Sequence, residues 1–167
     1  MTYKASLDKT AIIITISVTI LFAIIIGGQY SIIKDAGGAV PIYTTTACLL
    51  MYFLAFAFRP IHYTITSDEL IVNRPLLNVY IKRADIRRVE LIEKKKIKNC
   101  IRIFCMGGLF GYYGNFVNFS LGRMTWYATR RDKPVLVKTT DNRKIIVTPD
   151  DPDTFVNELS ASVLNKI

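Results

Sequence analysis

Few side chains in this sequence are of the kind that do chemistry, and their spacing limits what they can do. His62 is the only histidine. It has no nucleophile and carboxylate at a spacing that would make it a general base, so it reads as an ordinary interfacial residue. Asp150, Asp151 and Asp153 could be imagined around a cation, but Pro152 stands among them. An aspartate cap, proline at the first helical position and acids in the first turn together begin a helix, and that use accounts for all four residues. Cys48 lies in an apolar run, and Cys100 and Cys105 are five apart, on opposite faces of a strand. No pairing framework or zinc spacing emerges, so reduced thiols are expected. The sequence therefore predicts no catalytic residue, no metal and no cofactor.

Two other stretches carry binding chemistry. The glycine-aromatic segment from Gly107 to Phe116 has no lysine-serine pair and opens no helix, which excludes a phosphate loop. Its aromatics Phe110, Tyr112, Tyr113 and Phe116 read as a loop or irregular strand, either folded back over the core or forming a contact loop for lipid headgroups or a partner. Upstream, residues 82–102 hold nine basic side chains against Asp85, Glu90 and Glu93. Lys94, Lys95, Lys96 and Lys98 form the centre of this block. Aromatics are not interleaved with these bases, so no nucleic acid is expected. Attraction of these lysines to anionic lipid needs no special geometry and is the favoured reading.

These residues must be positioned by the rest of the chain, and the first 58 residues decide where. The runs Ala11–Gly28 and Ala39–Phe58 contain no charged side chain. Each is long enough to cross ~30 Å of hydrocarbon as a helix. Residues 29–38 join them, with Gly37, Gly38 and Pro41 as punctuation. A cleaved signal is a poor alternative, because no small-x-small site follows the first run and a second run comes at once. A transmembrane helical hairpin over residues 1–58 is expected, with spans near 11–28 and 39–58, a short polar arm before them, and a second unit over 59–167. Both termini then share one side. The chain carries 22 basic and 13 acidic residues, net +9. All but +1 of this lies after residue 58, and Lys4 and Lys9 outweigh the loop's Lys34, which favours the cytoplasm.

After Pro60 the pattern changes to period two. Ile61–Thr66, Leu70–Val72, Val79–Ile81, Ile86–Ile92, Lys98–Cys105, Gly122–Thr129, Pro134–Lys138 and Lys144–Thr148 read as strands. Met124, Trp126 and Ala128 share one face. Phe155, Val156, Leu159 and Val163 then recur at helical spacing behind Pro152. About seven strands followed by an amphipathic helix predict an α+β protein, in which the helix covers the open end of a small barrel or sandwich.

The glycine-aromatic segment, Gly122–Thr129, Lys133–Val137 and Val147–Pro152 together resemble the bacterial PH-domain membrane proteins. The resemblance spans roughly residues 59–165 and is strongest over 107–160. It implies a pleckstrin-homology-like, seven-stranded barrel with a C-terminal capping helix after one or more membrane spans, and it implies no activity. Phosphoinositide-binding PH domains place basic residues around the first hairpin. Here that turn is Thr66-Ser67-Asp68-Glu69, so their specificity does not transfer. The function expected is a non-enzymatic, membrane-anchored binding or scaffold module that engages a protein, peptide or anionic lipid at the cytoplasmic face of a bacterial inner membrane. The alternative is a small accessory subunit whose hairpin contacts partner helices in a membrane complex. The absence of charge within the spans argues against a transport path.

Overall fold

The computed structural model describes residues 1–36, 39–97, 100–119 and 121–164. Two long helices come first, α1 (Lys9–Ala36) and α2 (Ala39–Ala57). Helix α1 runs through the stretch expected to be a connector, because nothing between Gln29 and Ala36 breaks a helix. Gly37 and Gly38 lie outside the described residues. Helix α2 has Pro41 in its first turn, where the missing N–H costs nothing, and it stops just before Arg59-Pro60. The two helices pair through Thr19 and Tyr52, whose hydroxyls lie 2.8 Å apart, and through the rings of Phe22 and Tyr52. Ile13, Ile24, Val40 and Phe53 are exposed on their outer sides.

The polar arm before α1 is a strand. β1 (Thr2–Lys4) pairs antiparallel with β2 (His62–Ile65), with Tyr3 opposite Tyr63. β3 (Glu69–Asn73) and β4 (Val79–Lys82) complete a four-stranded antiparallel sheet in the order β1-β2-β3-β4. The second sheet holds six strands: β5 (Ile86–Leu91), β6 (Ile101–Gly107), β7 (Tyr112–Asn118), β8 (Gly122–Ala128), β9 (Val135–Thr139) and β10 (Lys144–Val147). Their order is β5-β9-β10-β8-β7-β6, and β8 with β10 is its parallel pair. Among the described residues, ten strands form two sheets, so of the expected barrel or sandwich it is the sandwich that holds, with more strands than the seven expected. Strand β1 and the regular strand β7 account for part of the excess.

Strands β9 and β10 are apolar on both faces because the six-stranded sheet is covered twice. On one side, Val135, Val137, Ile145 and Val147 meet Tyr63, Leu70 and Val72 of the first sheet and the last helix, α3 (Pro152–Leu164). Phe155 and Leu159 of α3 are fully buried there, and Tyr3 meets the Phe155 ring edge-on at 5.1 Å. Helix α3 starts as expected. Pro152 is its first residue, and the Asp151 carboxylate accepts from the Thr154 N–H at 3.3 Å. That hydrogen bond holds the Asp151 carboxyl below the usual range. Asp150 does not cap; it accepts from the Ser6 N–H and from Arg130, tying the β1 segment down. On the other side of the sheet, Leu136, Ile146, Met124, Trp126 and Ala128 form a second core. Met124, Trp126 and Ala128 share that face, as the period-two pattern requires. Ile92, Ile97 and Ala11 cover it.

Candidate binding cavity

The second core is incompletely filled, and its gap is the candidate site. Phe116 lies on β7 and Trp126 on the neighbouring β8, and both side chains project to the face covered by the 92–97 segment. Their rings stack at 4.5 Å with an interplanar angle of 27°. The covering segment is held at both ends. The Ile92 N–H donates to the Pro134 carbonyl at 2.9 Å, and Ile92 and Ile97 are buried. Between them Lys94–Ile97 forms a turn of 3₁₀ helix, whose Lys96 carbonyl accepts from the Asn118 side chain at 3.1 Å.

A cavity of about 740 Å³ opens between this segment and the sheet. Its lining is Ile97, Cys100, Phe116 and Trp126 with Lys94, Lys95, Arg102 and Arg131. Arg102 stands opposite Phe116 in the β6–β7 register. The Arg131 guanidinium lies over the Tyr112 ring at 4.2 Å. Among the described residues, no carboxylate or imidazole lines the cavity, and none of the four cations forms an ion pair. The buried indole N–H of Trp126, at the same wall, has no hydrogen-bond partner among the described residues. The space is of the size that takes small molecules. Its chemistry is four positive charges around an aromatic and aliphatic floor. Such a lining can hold an anion with an apolar part.

The cavity sits beside the foot of the helical hairpin. Below Arg131, the Tyr112 hydroxyl donates to Asp8 at 3.3 Å, and burial pushes its pKa up. Asp8 caps α1 by accepting from the Ala11 N–H at 2.7 Å. The β6–β7 turn also docks on both helices. Thr15 of α1 accepts from the Phe110 N–H at 3.0 Å, and the Phe110 ring packs against Tyr52 and Phe56 of α2. The Tyr113 hydroxyl donates to the Ala55 carbonyl. Arg59, just after α2, places its guanidinium over Phe56 and Phe110.

The sequence-predicted residues therefore divide. Phe110, Tyr112, Tyr113 and Phe116 are buried, so they are packing residues rather than an exposed contact loop. Paired strands order a stretch whose glycines suggested irregularity. Only Phe116 reaches the cavity. Lys94, Lys95 and Lys96 are all exposed; Lys94 and Lys95 also line the cavity, Lys96 does not, and Lys98 lies outside the described residues. Sequence reasoning placed Arg102 in a general basic block and missed Arg131 and Trp126 as cavity residues. The signal was present only as a lone tryptophan on a strand face near a basic turn. His62 is half-buried on β2, away from this lining.

The sandwich with its terminal helix agrees with what a comparison of sequences finds: residues 61–163 match the family described as Bacterial PH domain. The chain belongs to the bacterial PH-domain family. No curated protein and no solved structure matches the chain. In this PH domain the acidic Thr66–Glu69 turn is closed by bonds between Thr66 and Glu69 and held by Arg83, which donates to the Thr66 and Asp68 carbonyls. The basic cavity lies on the other sheet, between β6, β7, β8 and the 92–97 segment.

Proposed function

We propose that this protein is a membrane-anchored, non-enzymatic binding module, whose PH domain is held at the cytoplasmic face by a two-helix transmembrane hairpin. The observation that carries the reading is the way the helices meet the domain. The domain touches the helices near the ends that join it, through Asp8, Ile14, Thr15, Tyr52, Ala55 and Phe56, while most of their apolar length is bare. Of the two candidate spans, Lys9–Tyr30 is 6% buried and Val40–Ala57 11% buried. Core helices of a water-soluble fold would be mostly covered, and bare helices of this length are stable in hydrocarbon. PH domains are in general binding modules, and the basic cavity supplies a place to bind an anion. Lys4, Lys9 and the basic domain favour the cytoplasmic side.

The test is fractionation of cells expressing the full chain. Retention in membranes through an alkaline carbonate wash, with release by detergent, is expected. Release by carbonate alone contradicts the anchored reading.

A further inference from the structure

The cavity's lining goes beyond a diffuse attraction between a basic surface and an acidic leaflet. Nonspecific attraction needs only exposed charges, which Lys94, Lys95 and Arg102 are; it does not need them to converge. Here two of the three consecutive lysines, Lys94 and Lys95, border a space shared with Arg102 and Arg131, which come from β6 and the β8–β9 turn. Four cations from three parts of the chain surround one opening, and among the described residues none is neutralised by a carboxylate. Holding like charges together in this way is unfavourable until an anion enters. Beneath them lie the stacked Phe116–Trp126 pair and Ile97, an apolar surface that a simple anion leaves wet.

We infer that the cavity is a binding site for an anionic phospholipid, with Lys94, Lys95, Arg102 and Arg131 on the phosphate and the Phe116–Trp126 wall against the glycerol and first acyl carbons. Charge complementarity selects the phosphate. Position selects the lipid, because Arg131 stacks on Tyr112, which is bonded to the capping Asp8 of α1. The opening thus lies beside the foot of the helix that, on the proposed function above, enters the bilayer. A lipid reaches it by rising a short way out of its leaflet.

The protein supplies its own probe. Trp126 is the sole tryptophan and forms part of the wall, so occupancy changes its fluorescence. Full-length protein in neutral detergent is titrated with dihexanoylphosphatidic acid, with dihexanoylphosphatidylcholine and with glycerol 3-phosphate. A saturable change with phosphatidic acid is expected, together with protection of Cys100, which lines the cavity, from maleimide. Phosphatidylcholine should give no saturable change, and glycerol 3-phosphate should bind more weakly. Lys94→Gln/Lys95→Gln should weaken the phosphatidic acid response by about tenfold or more. The charge-matched Lys4→Gln/Arg123→Gln, both away from the cavity, should leave it intact. No response to phosphatidic acid, an equal response to phosphatidylcholine, or an unchanged response in the Lys94/Lys95 variant overturns the inference. Glycerol 3-phosphate binding as tightly as the lipid also overturns it, in favour of a soluble phosphate site. Because the titration is done in detergent, its failure is separate from failure of the anchoring test.

Discussion

The phenolic hydroxyl of Tyr113, on β7, donates to the carbonyl of Ala55 in the last turn of α2. The four final carbonyls of an α-helix have no partner within the helix. In α2 all four are satisfied, and two of them by the PH domain. Leu54 and Phe56 accept from Phe58 and Arg59 at the turn that follows, Ala55 from Tyr113, and Ala57 from the Leu76 N–H at 3.2 Å. The domain therefore terminates the helix as well as hanging from it.

Removing that donor should be felt. Tyr113→Phe keeps the ring and leaves the Ala55 carbonyl buried without its partner, at a cost of about 1–3 kcal/mol. Thermal unfolding of the full chain in detergent should shift down accordingly. An unchanged transition would mean that water or a rearranged neighbour replaces the phenol.

Gly108 offers a second test of the same junction. Its φ is +118°, and a Cβ there would come within 2.6 Å of the Ile14 side chain of α1. Gly108→Ala should cost about 1–3 kcal/mol through backbone strain and crowding. It should also increase protease cleavage around residues 107–111 relative to the parent chain. Equal cleavage rates would argue that the turn does not depend on this close approach.

The C-terminal helix is part of the first core. Leu159 is fully buried between the sheets, so Leu159→Ala should destabilise by about 2–5 kcal/mol. Tyr3→Ala should destabilise at the same core, because Tyr3 packs on Phe155 and its hydroxyl donates to Glu158. A fragment beginning at residue 59 lacks β1 and is expected to be less stable than the full chain's domain. If the fragment unfolds at the same temperature, β1 contributes nothing.

Alkaline pH should loosen the same core. Burial pushes the Tyr63 phenol up from 10.0 to about 12, and Tyr3 is raised likewise, first by burial and then by Glu158. Below pH 10 both are protonated folded and unfolded, so their contribution is intact. Between pH 10 and about 12 the unfolded chain loses these protons first, and stability falls. Phenolate absorbance recorded beside the melting temperature checks this. Tyr63→Phe should flatten the fall, while a melting temperature independent of pH across that window would contradict it.

What could be read from the sequence followed local periodicity. The alternation of Met124, Trp126 and Ala128 specifies their shared face, and the Asp151-Pro152 start specifies α3, because both signals lie within a few neighbouring residues. β1 was not legible: Thr2-Tyr3-Lys4 is too short to show a period, and only its pairing with His62–Thr64 makes it a strand. The same holds for the parallel β8–β10 pairing and for β7, whose glycines suggested a loop until β6 and β8 flank it. The cavity was least legible, since Arg131 and Lys94 are remote in sequence and meet only when the 92–97 segment folds over the β7–β8 face.

The arrangement of a cytoplasmic domain on a membrane hairpin is tested most directly by cysteine labelling in whole cells. In a background with Cys48, Cys100 and Cys105 replaced by serine, Ser31→Cys and Asn157→Cys are made separately. An impermeant maleimide should label the Ser31→Cys protein in intact cells with a permeable outer envelope, and the Asn157→Cys protein only after the inner membrane is opened. Labelling of Asn157→Cys in intact cells, with protection of Ser31→Cys, would contradict the account.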